Sequence, residues 1–191
     1  MLIALGLRER LQPLAMTPQA IRVMAGGSGR EIVRMPLGGD AERRYGAPYW
    51  TIHRGDLQSA LADAAQTTQD IEVKLATRVE DFAVHANGIT VQARNAGRVV
   101  DERGVALIGS DGVWSTLGAQ MRARLPPRFR HRTAWRTLVP AAAVPEEFCQ
   151  PLVHLWLGPD AHLVHYPVKG GRLINIVAIV HDEWQLSLIH I

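Results

Sequence analysis

The chain has little cysteine, few aromatic residues and no long apolar run. Cys149 is the single cysteine in 191 residues. This excludes an internal disulfide and a cysteine-based metal framework, and it is typical of a reducing compartment. No stretch approaches the roughly 18 uninterrupted apolar residues that a membrane-spanning helix requires. The short apolar start has no basic region before it and is followed at once by charges, unlike a signal peptide. We therefore expect a cytoplasmic protein without a membrane partner.

The chain also lacks a large excess of either charge. Lys and Arg total 21 against 18 for Asp and Glu, which gives a net charge of +3. Arginines concentrate between Arg122 and Arg136, but no RNA-binding signature or interleaved aromatic residues accompany them. We interpret this segment as a solvated, salt-bridged surface and expect no nucleic-acid partner. The eight histidines form no convincing metal-binding arrangement, so no metal is predicted.

Hydrophobic periodicity predicts alternating helices and strands in the first two thirds of the chain. The predicted elements are a helix at 2–12, strands at 21–24 and 32–35 around a Gly-rich turn, a strand at 49–53, a helix from Asp56, a strand at 71–75, a hairpin at 79–93, a strand at 105–108 and a helix at 114–125. The hairpin is centred on Asn87-Gly88, a pair that favours a type I′ turn. The continuous apolar run at 105–108 indicates a strand buried on both faces of a parallel sheet.

Beyond Pro127 the pattern changes to three strands at 152–157, 161–168 and 172–180. Gly158-Pro-Asp and Lys169-Gly-Gly separate them as tight turns, which predicts an antiparallel meander. The two halves together predict a composite α/β plus β fold.

The strongest local signal for a ligand is Gly-Ser-Asp-Gly at 109–112, which joins the predicted parallel strand to a helix. Ligands of open α/β sheets bind at such strand ends. Asp111 would accept a hydrogen bond from a ligand hydroxyl or, alternatively, cap the following helix.

Three segments carry a resemblance to a known family. Residues 107–115 (LIGSDGVWS) resemble the Asp-Gly motif of class A flavoprotein monooxygenases, Gly-Ala-Asp-Gly-x-x-Ser-x-x-Arg, and residues 53–57 (HRGDL) resemble their His-Arg-x-x-Leu element. Residues 156–175 are similar to the substrate-domain meander of 3-hydroxybenzoate and salicylate hydroxylases. The chain is thus identified as a member of the FAD-dependent aromatic monooxygenases.

The resemblance implies a partial Rossmann-like FAD-binding domain and an antiparallel-sheet substrate domain, as in p-hydroxybenzoate hydroxylase. It assigns 1–20 and 51–128 to the first, 21–50 and 129–184 to the second, and leaves 185–191 as an atypical tail. It further implies FAD and NADH or NADPH as cofactors, a small aromatic acid as substrate and a homodimer of the full-length form. The expected cofactor-binding residues are Arg54, Val79, Asp111 and Gly112.

His162 and Tyr166 are the candidate catalytic residues. Side chains alternate along a strand, so these two share one face. On that face they would hold a phenolic substrate, with His162 taking the phenol proton. The resemblance implies the same pair. His165 is the alternative base, and ordinary polar residues on a sheet are the alternative interpretation.

Several family elements are missing from the chain. It has no Gly-x-Gly-x-x-Gly unit for the pyrophosphate, lacks the family's second Gly-Asp motif, and has Gly118 where the motif has arginine. We therefore expect an internal fragment that binds FAD weakly or not at all and is prone to aggregate. The alternatives are a family member acting on a quinone precursor or in antibiotic tailoring, and an inactive remnant.

Overall fold

A computed structural model describes residues 2–121 and 127–183. The chain divides into two units, one formed by Met1–Gln69 with His131–Ile191 and the other by Asp70–Arg130. Two arginines of the basic segment (Arg122 and Arg124), the end of the predicted helix at 114–125 and the tail at 185–191 lie outside the described residues.

The described residues form nine strands and four α-helices. The strands are β1 (Ala20–Ala25), β2 (Glu31–Pro36), β3 (Thr77–His85), β4 (Gly88–Asn95), β5 (Arg98–Gly104), β6 (Arg132–Pro140), β7 (Leu152–Leu157), β8 (Ala161–Val168) and β9 (Leu173–His181). The helices are α1 (Arg8–Leu11), α2 (Gly39–Tyr45), α3 (Arg54–Thr67) and α4 (Thr116–Gln120). Two 3-10 turns, Ala141–Ala143 and Glu146–Phe148, follow β6.

The first unit is built on a six-stranded sheet in the order β2-β1-β7-β8-β9-β6. All neighbours are antiparallel except β1 and β7, which run parallel. The predicted meander is confirmed as β7, β8 and β9, and the predicted hairpin at 21–35 as β1 and β2. The core of the first unit includes Val168 and Ile174, each 1% exposed.

A smaller apolar cluster joins α1 and α3 of the same unit. Leu7 and Leu11 from the α1 region pack against Ala60 of α3. Of the helix predicted at 2–12, only the short α1 is α-helical, and turns precede it. The helix predicted from Asp56 is confirmed as α3.

The second unit is an antiparallel sheet of β3, β4 and β5, with α4 beside β3. The predicted hairpin is confirmed, but its turn is wrong by one residue. His85 pairs with Gly88, so Ala86 and Asn87 form the turn, and neither has positive φ. Gly88 has φ +143°, and a Cβ there would lie 2.4 Å from the Gly104 carbonyl oxygen. Glycine is therefore required for close strand approach.

Three predicted strands are wrong. Within 49–53 only Thr51 forms a bridge, to Met16, and neither 71–75 nor 105–108 has strand structure. The supposed parallel strand is instead open to solvent, with Val105 94% and Ile108 87% exposed. The run at 105–108 was expected to lie between parallel strands, and no described strand pairs with it.

The basic segment is partly as predicted. Its four described arginines are exposed (Arg128, Arg130, Arg132 and Arg136). None forms an ion pair with a described residue, however, and the last two lie in β6, which was not predicted. In the described part of the chain, every helix is too short or too polar to cross a membrane.

Candidate functional site

A cavity of about 480 Å³ lies in the first unit, where the start of α3 meets β8, β9 and β6. Its lining residues are Ile52, His53, Arg54, Arg136, Thr137, Leu138, Tyr166, Val168 and Asn175. Tyr166, Asn175 and Leu138 form one row across the three strands, because Tyr166 pairs with Asn175 and Asn175 with Leu138. Directly paired residues share a face of the sheet, so this row faces the cavity.

Arg54 is held in this cavity by contacts on both sides of it in the chain. The buried Thr51 hydroxyl donates a 3.1 Å hydrogen bond to the Pro167 carbonyl. Two residues after Arg54, the Asp56 carboxylate accepts a hydrogen bond from the Lys169 ammonium group. Asp56 also lies in the first turn of α3, where the helix dipole favours a negative charge. The start of α3 is thereby fixed to the β8–β9 turn.

The candidate catalytic pair follows the predicted alternation. His162 pairs with Ile179 and Tyr166 with Asn175, so both lie on one face of β8. Both are half-buried, but only Tyr166 lines the cavity. His162 lies four positions toward the start of the strand. The structure therefore brings Tyr166 together with Arg54 and leaves His162 on the same face beyond the cavity lining.

His165, the alternative base, lies on the opposite face. It pairs with His154 on β7, and the two rings stack with centroids 4.5 Å apart and an interplanar angle of 12°. Phe148 meets both imidazoles edge-on, and Trp156 stacks against them. The two buried histidines and the half-buried Trp156 and Phe148 are together called the imidazole cluster below.

The imidazole cluster favours neutral histidines. Burial, reinforced by the charge of His154, lowers the pKa of His165 to about 4. Burial, together with the charges of Arg22 and Arg34 and against that of Glu31, also lowers the pKa of His154. The Nδ1 atoms of both rings are buried and have no hydrogen-bond partner among the described residues. His165 is consequently uncharged at neutral pH and separated by the sheet from the cavity that Tyr166 lines.

In the second unit, Asp111 organises the turn into α4. One carboxylate oxygen accepts a hydrogen bond from the Ser115 hydroxyl (2.6 Å) and the other from the Leu117 amide (3.1 Å). Ser115 is the N-cap of α4, and its Oγ accepts from the Gly118 amide. The hydrogen bond from Ser115, with that from Leu117, lowers the pKa of Asp111. This is the capping alternative; a ligand contact by the carboxylate stays a prediction.

The other two predicted cofactor residues also lie in this unit. Gly112 has φ +80°, and a Cβ at this position would meet no atom within 4 Å. Val79 pairs with Ala93 in the β3–β4 ladder, immediately before an irregularity in the register. Gly112 thus offers backbone that a ligand can approach, while Val79 offers a main chain at the edge strand β3.

Arg136 and Asn175 line the cavity but were not singled out from the sequence. Asn175 lies in a predicted strand, and its pairing with Tyr166 follows from the Lys169-Gly-Gly turn, so the register was a usable signal. Arg136 was hidden in the arginine-rich segment that we interpreted as surface. No group of three or more metal-ligating side chains occurs in the described part of the chain.

Comparison with known proteins shows sequence relatives among monooxygenases. The chain is 30% identical over 174 residues to 3-hydroxybenzoate 6-hydroxylase 1 of Aquipseudomonas alcaligenes, covering 91% of this chain and 43% of that protein. It is 35% identical over 175 residues to 3-amino-4-hydroxybenzoate 2-monooxygenase of Streptomyces cremeus, with 92% and 43% covered. The chain spans less than half the length of these curated relatives. No protein-family model matches it.

Solved structures show the same fold. HpxO of Klebsiella pneumoniae, complexed with FAD and uric acid, superposes with a TM-score of 0.79 at 20% identity, over 97% of this chain and 46% of that one. A salicylate hydroxylase substrate complex gives a TM-score of 0.73 at 22% identity, over 97% and 48%. The predicted α/β plus β fold class is thereby confirmed.

Proposed function

We propose that this chain, which belongs to the class A FAD-dependent monooxygenases, is part of an enzyme that hydroxylates a hydroxybenzoate-like acid with NADH or NADPH and O2. The observation that supports this most directly is the cavity shared by Arg54 and Tyr166. This cavity is lined both by Arg54, the arginine of the predicted cofactor element, and by Tyr166, the phenol of the predicted substrate strand, and both residues belong to one unit. The named hydroxybenzoate enzymes among the relatives support the substrate class.

The residues present fit an FAD group in part. Arg54 lines a cavity and pairs with no described carboxylate, and Gly112 leaves open space beside its backbone. Arg54 of the first unit, and Gly112 and the main chain of Val79 in the second, stay the cofactor contacts that the family resemblance implies, each described within its own unit. The Asp111 carboxylate has both oxygens engaged within its own turn, so it would act by shaping the segment that carries Gly112. When bound, FAD supplies the oxygen chemistry, and the protein supplies position and protonation.

The substrate would lie on the face of β8 that carries His162 and Tyr166. The Tyr166 hydroxyl orients the phenol by a hydrogen bond, and His162 accepts the phenol proton, which enriches the ring in electrons for hydroxylation. The buried side chains of Val168 on β8 and Ile174 on β9 help to keep these neighbouring strands fixed. The roles of these two residues are part of the proposal.

The test is His162→Ala in a protein of full family length that contains this chain. We expect hydroxylation of 3-hydroxybenzoate or salicylate to fall by at least about 100-fold, the usual contribution of a general base, with flavin absorbance of the purified protein unchanged. His85→Ala, an exposed histidine in the other unit, is the matched control. Turnover near the wild-type rate in His162→Ala would contradict the proposed role.

Two alternatives predict different kinetics. An enzyme for another substrate would oxidise NADH without stimulation by either acid, and an inactive remnant would not oxidise it at all. Substrate-stimulated oxidation supports the proposal. A cytoplasmic location and a homodimer remain predictions, and sedimentation of the full-length form tests the second.

A further inference from the structure

Arg136 occupies a distinctive place on the face that carries the candidate catalytic pair. On β6 it pairs with Val177 of β9, and Val177 pairs with Val164 of β8. Val164 lies midway between His162 and Tyr166 along β8. Arg136 therefore lies two strands away from β8, level with the point between His162 and Tyr166. Directly paired residues share a face of the sheet, so Arg136 lies on the same face as these two residues.

The cavity that Arg136 lines has an unbalanced positive charge. Its lining contains two guanidinium groups, those of Arg54 and Arg136, and no carboxylate. Asp56 at the start of α3 is not among the lining residues; it pairs with Lys169 and lies 3.9 Å from His53 Nδ1. Neither arginine has an anionic partner among the described residues. Such a cavity attracts an anion, because a planar guanidinium group binds a carboxylate through two parallel hydrogen bonds.

The spacing fits a small aromatic acid. Neighbouring strands lie about 4.8 Å apart, so β6 and β8 are separated by roughly 10 Å. An arginine side chain that reaches back over Val177 reduces this gap to about the length of a benzoate ring with its two polar substituents. On the intervening strand β9, the uncharged Val177 and Asn175 lie between the two ends and leave the ring without competing charge.

We propose that Arg136 is the residue that binds the substrate carboxylate and so makes the enzyme specific for aromatic acids over neutral phenols. This inference rests on the proposed function, since it places the substrate on the face of His162 and Tyr166. The proposal gives the two arginines of the cavity different roles: Arg136 binds the substrate and Arg54 binds the cofactor.

The test measures binding of two probes by calorimetry or ligand-observed NMR to a flavin-loaded protein of full family length that contains this chain. 3-Hydroxybenzoate carries the carboxylate, and 3-hydroxybenzamide is its neutral analogue of similar shape. We expect Arg136→Gln to weaken 3-hydroxybenzoate binding by about 10- to 100-fold, the range of one charged hydrogen-bonded pair, and to leave the amide within about twofold. Arg136→Lys should restore part of the loss, because it keeps the charge without the planar fork.

The matched control is Arg132→Gln, which removes an exposed arginine of the same strand that does not line the cavity. It should leave both affinities unchanged. Equal weakening of both probes in Arg136→Gln, or loss of acid selectivity in Arg54→Gln instead, would overturn the inference while leaving the proposed function intact. If this full-length protein without substitutions bound neither probe, the proposed function of this cavity would itself fail.

Discussion

The buried imidazole cluster makes a quantitative prediction about stability and pH. The pKa of His165 falls from an ordinary 6.5 to about 4 on folding, chiefly through burial. As pH falls below 6.5, the unfolded chain therefore binds a proton at this position before the folded chain does. The contribution of His165 to the free energy of unfolding is fully present above pH 6.5. It decreases between pH 6.5 and pH 4 and is lost below pH 4. Each pKa unit corresponds to 1.36 kcal/mol, so the decrease is about 3 kcal/mol.

The perturbation is His165→Leu. Leucine is uncharged at every pH and fills the space beside His154, so this part of the pH dependence should disappear. At pH 7.5 the variant should be about as stable as the parent or more stable, because the substitution removes a buried Nδ1 atom that has no hydrogen-bond partner among the described residues. The variant should therefore be less sensitive to acid.

The assay is urea unfolding followed by tryptophan fluorescence at pH values from 4 to 7.5. Carboxylates also titrate in this range, so the informative quantity is the difference between variant and parent in the free energy of unfolding. It should grow in favour of the variant by about 3 kcal/mol from pH 7 to pH 4. His162→Leu, on the opposite face of the same strand, is the control. A constant difference across the pH range would refute the reasoning.

Other substitutions test four separate features. Ser115→Ala removes the N-cap of α4 and should cost about 1 kcal/mol, seen as faster hydrogen exchange of the Gly118 amide; unchanged exchange would contradict the capping role. Gly88→Ala places a Cβ against a carbonyl oxygen in a strained conformation and should lower unfolding stability by about 1–3 kcal/mol; an unchanged Tm would count against it. Asp56→Asn weakens the Asp56–Lys169 pair that fixes α3 and should lower the free energy of unfolding by about 1–2 kcal/mol. Adding Lys169→Met to this variant should lower it no further, because the pair is already weakened. The double substitution Val105→Ser and Ile108→Ser should reduce aggregation and the binding of a dye that reports exposed apolar surface, while changing the free energy of unfolding by less than about 0.5 kcal/mol. Undiminished aggregation would exclude this segment as the cause of the aggregation.

Local pattern predicted the parts of the fold that local chemistry decides. The strands at 152–180 were found because two glycine-containing turns separate alternating residues, and α3 because its apolar spacing is helical. The segment 105–108 was wrong because a continuous apolar run requires parallel neighbours, and pairing between distant strands is invisible to periodicity. Strand β6 was missed because its arginines and threonines conceal the alternation.

The candidate site was likewise predicted only where local pattern determines the position of a residue. Alternation along β8 correctly placed His162 with Tyr166 and His165 on the other face. Arg136 was not predicted, since its position depends on the register of β6 against β9 and of β9 against β8. The capping of α4 by Ser115 was also outside what the motif alone indicated, because Asp111 can serve a helix or a ligand with the same oxygens.

The parallel pairing of β1 with β7 has a consequence for how the chain folds as it is synthesised. Ala20 lies beside Leu152, so the ribosome must add more than a hundred residues before β1 meets its partner. At 5–20 residues per second this takes on the order of ten seconds. The Asp70–Arg130 unit is continuous in sequence and emerges whole during that interval. Meanwhile β1 and β2 exist as a hairpin with an unpaired edge, the state in which strands join the wrong chain. Contacts so distant in sequence also slow folding, because the entropy of closing a long loop opposes them until β7 has been made.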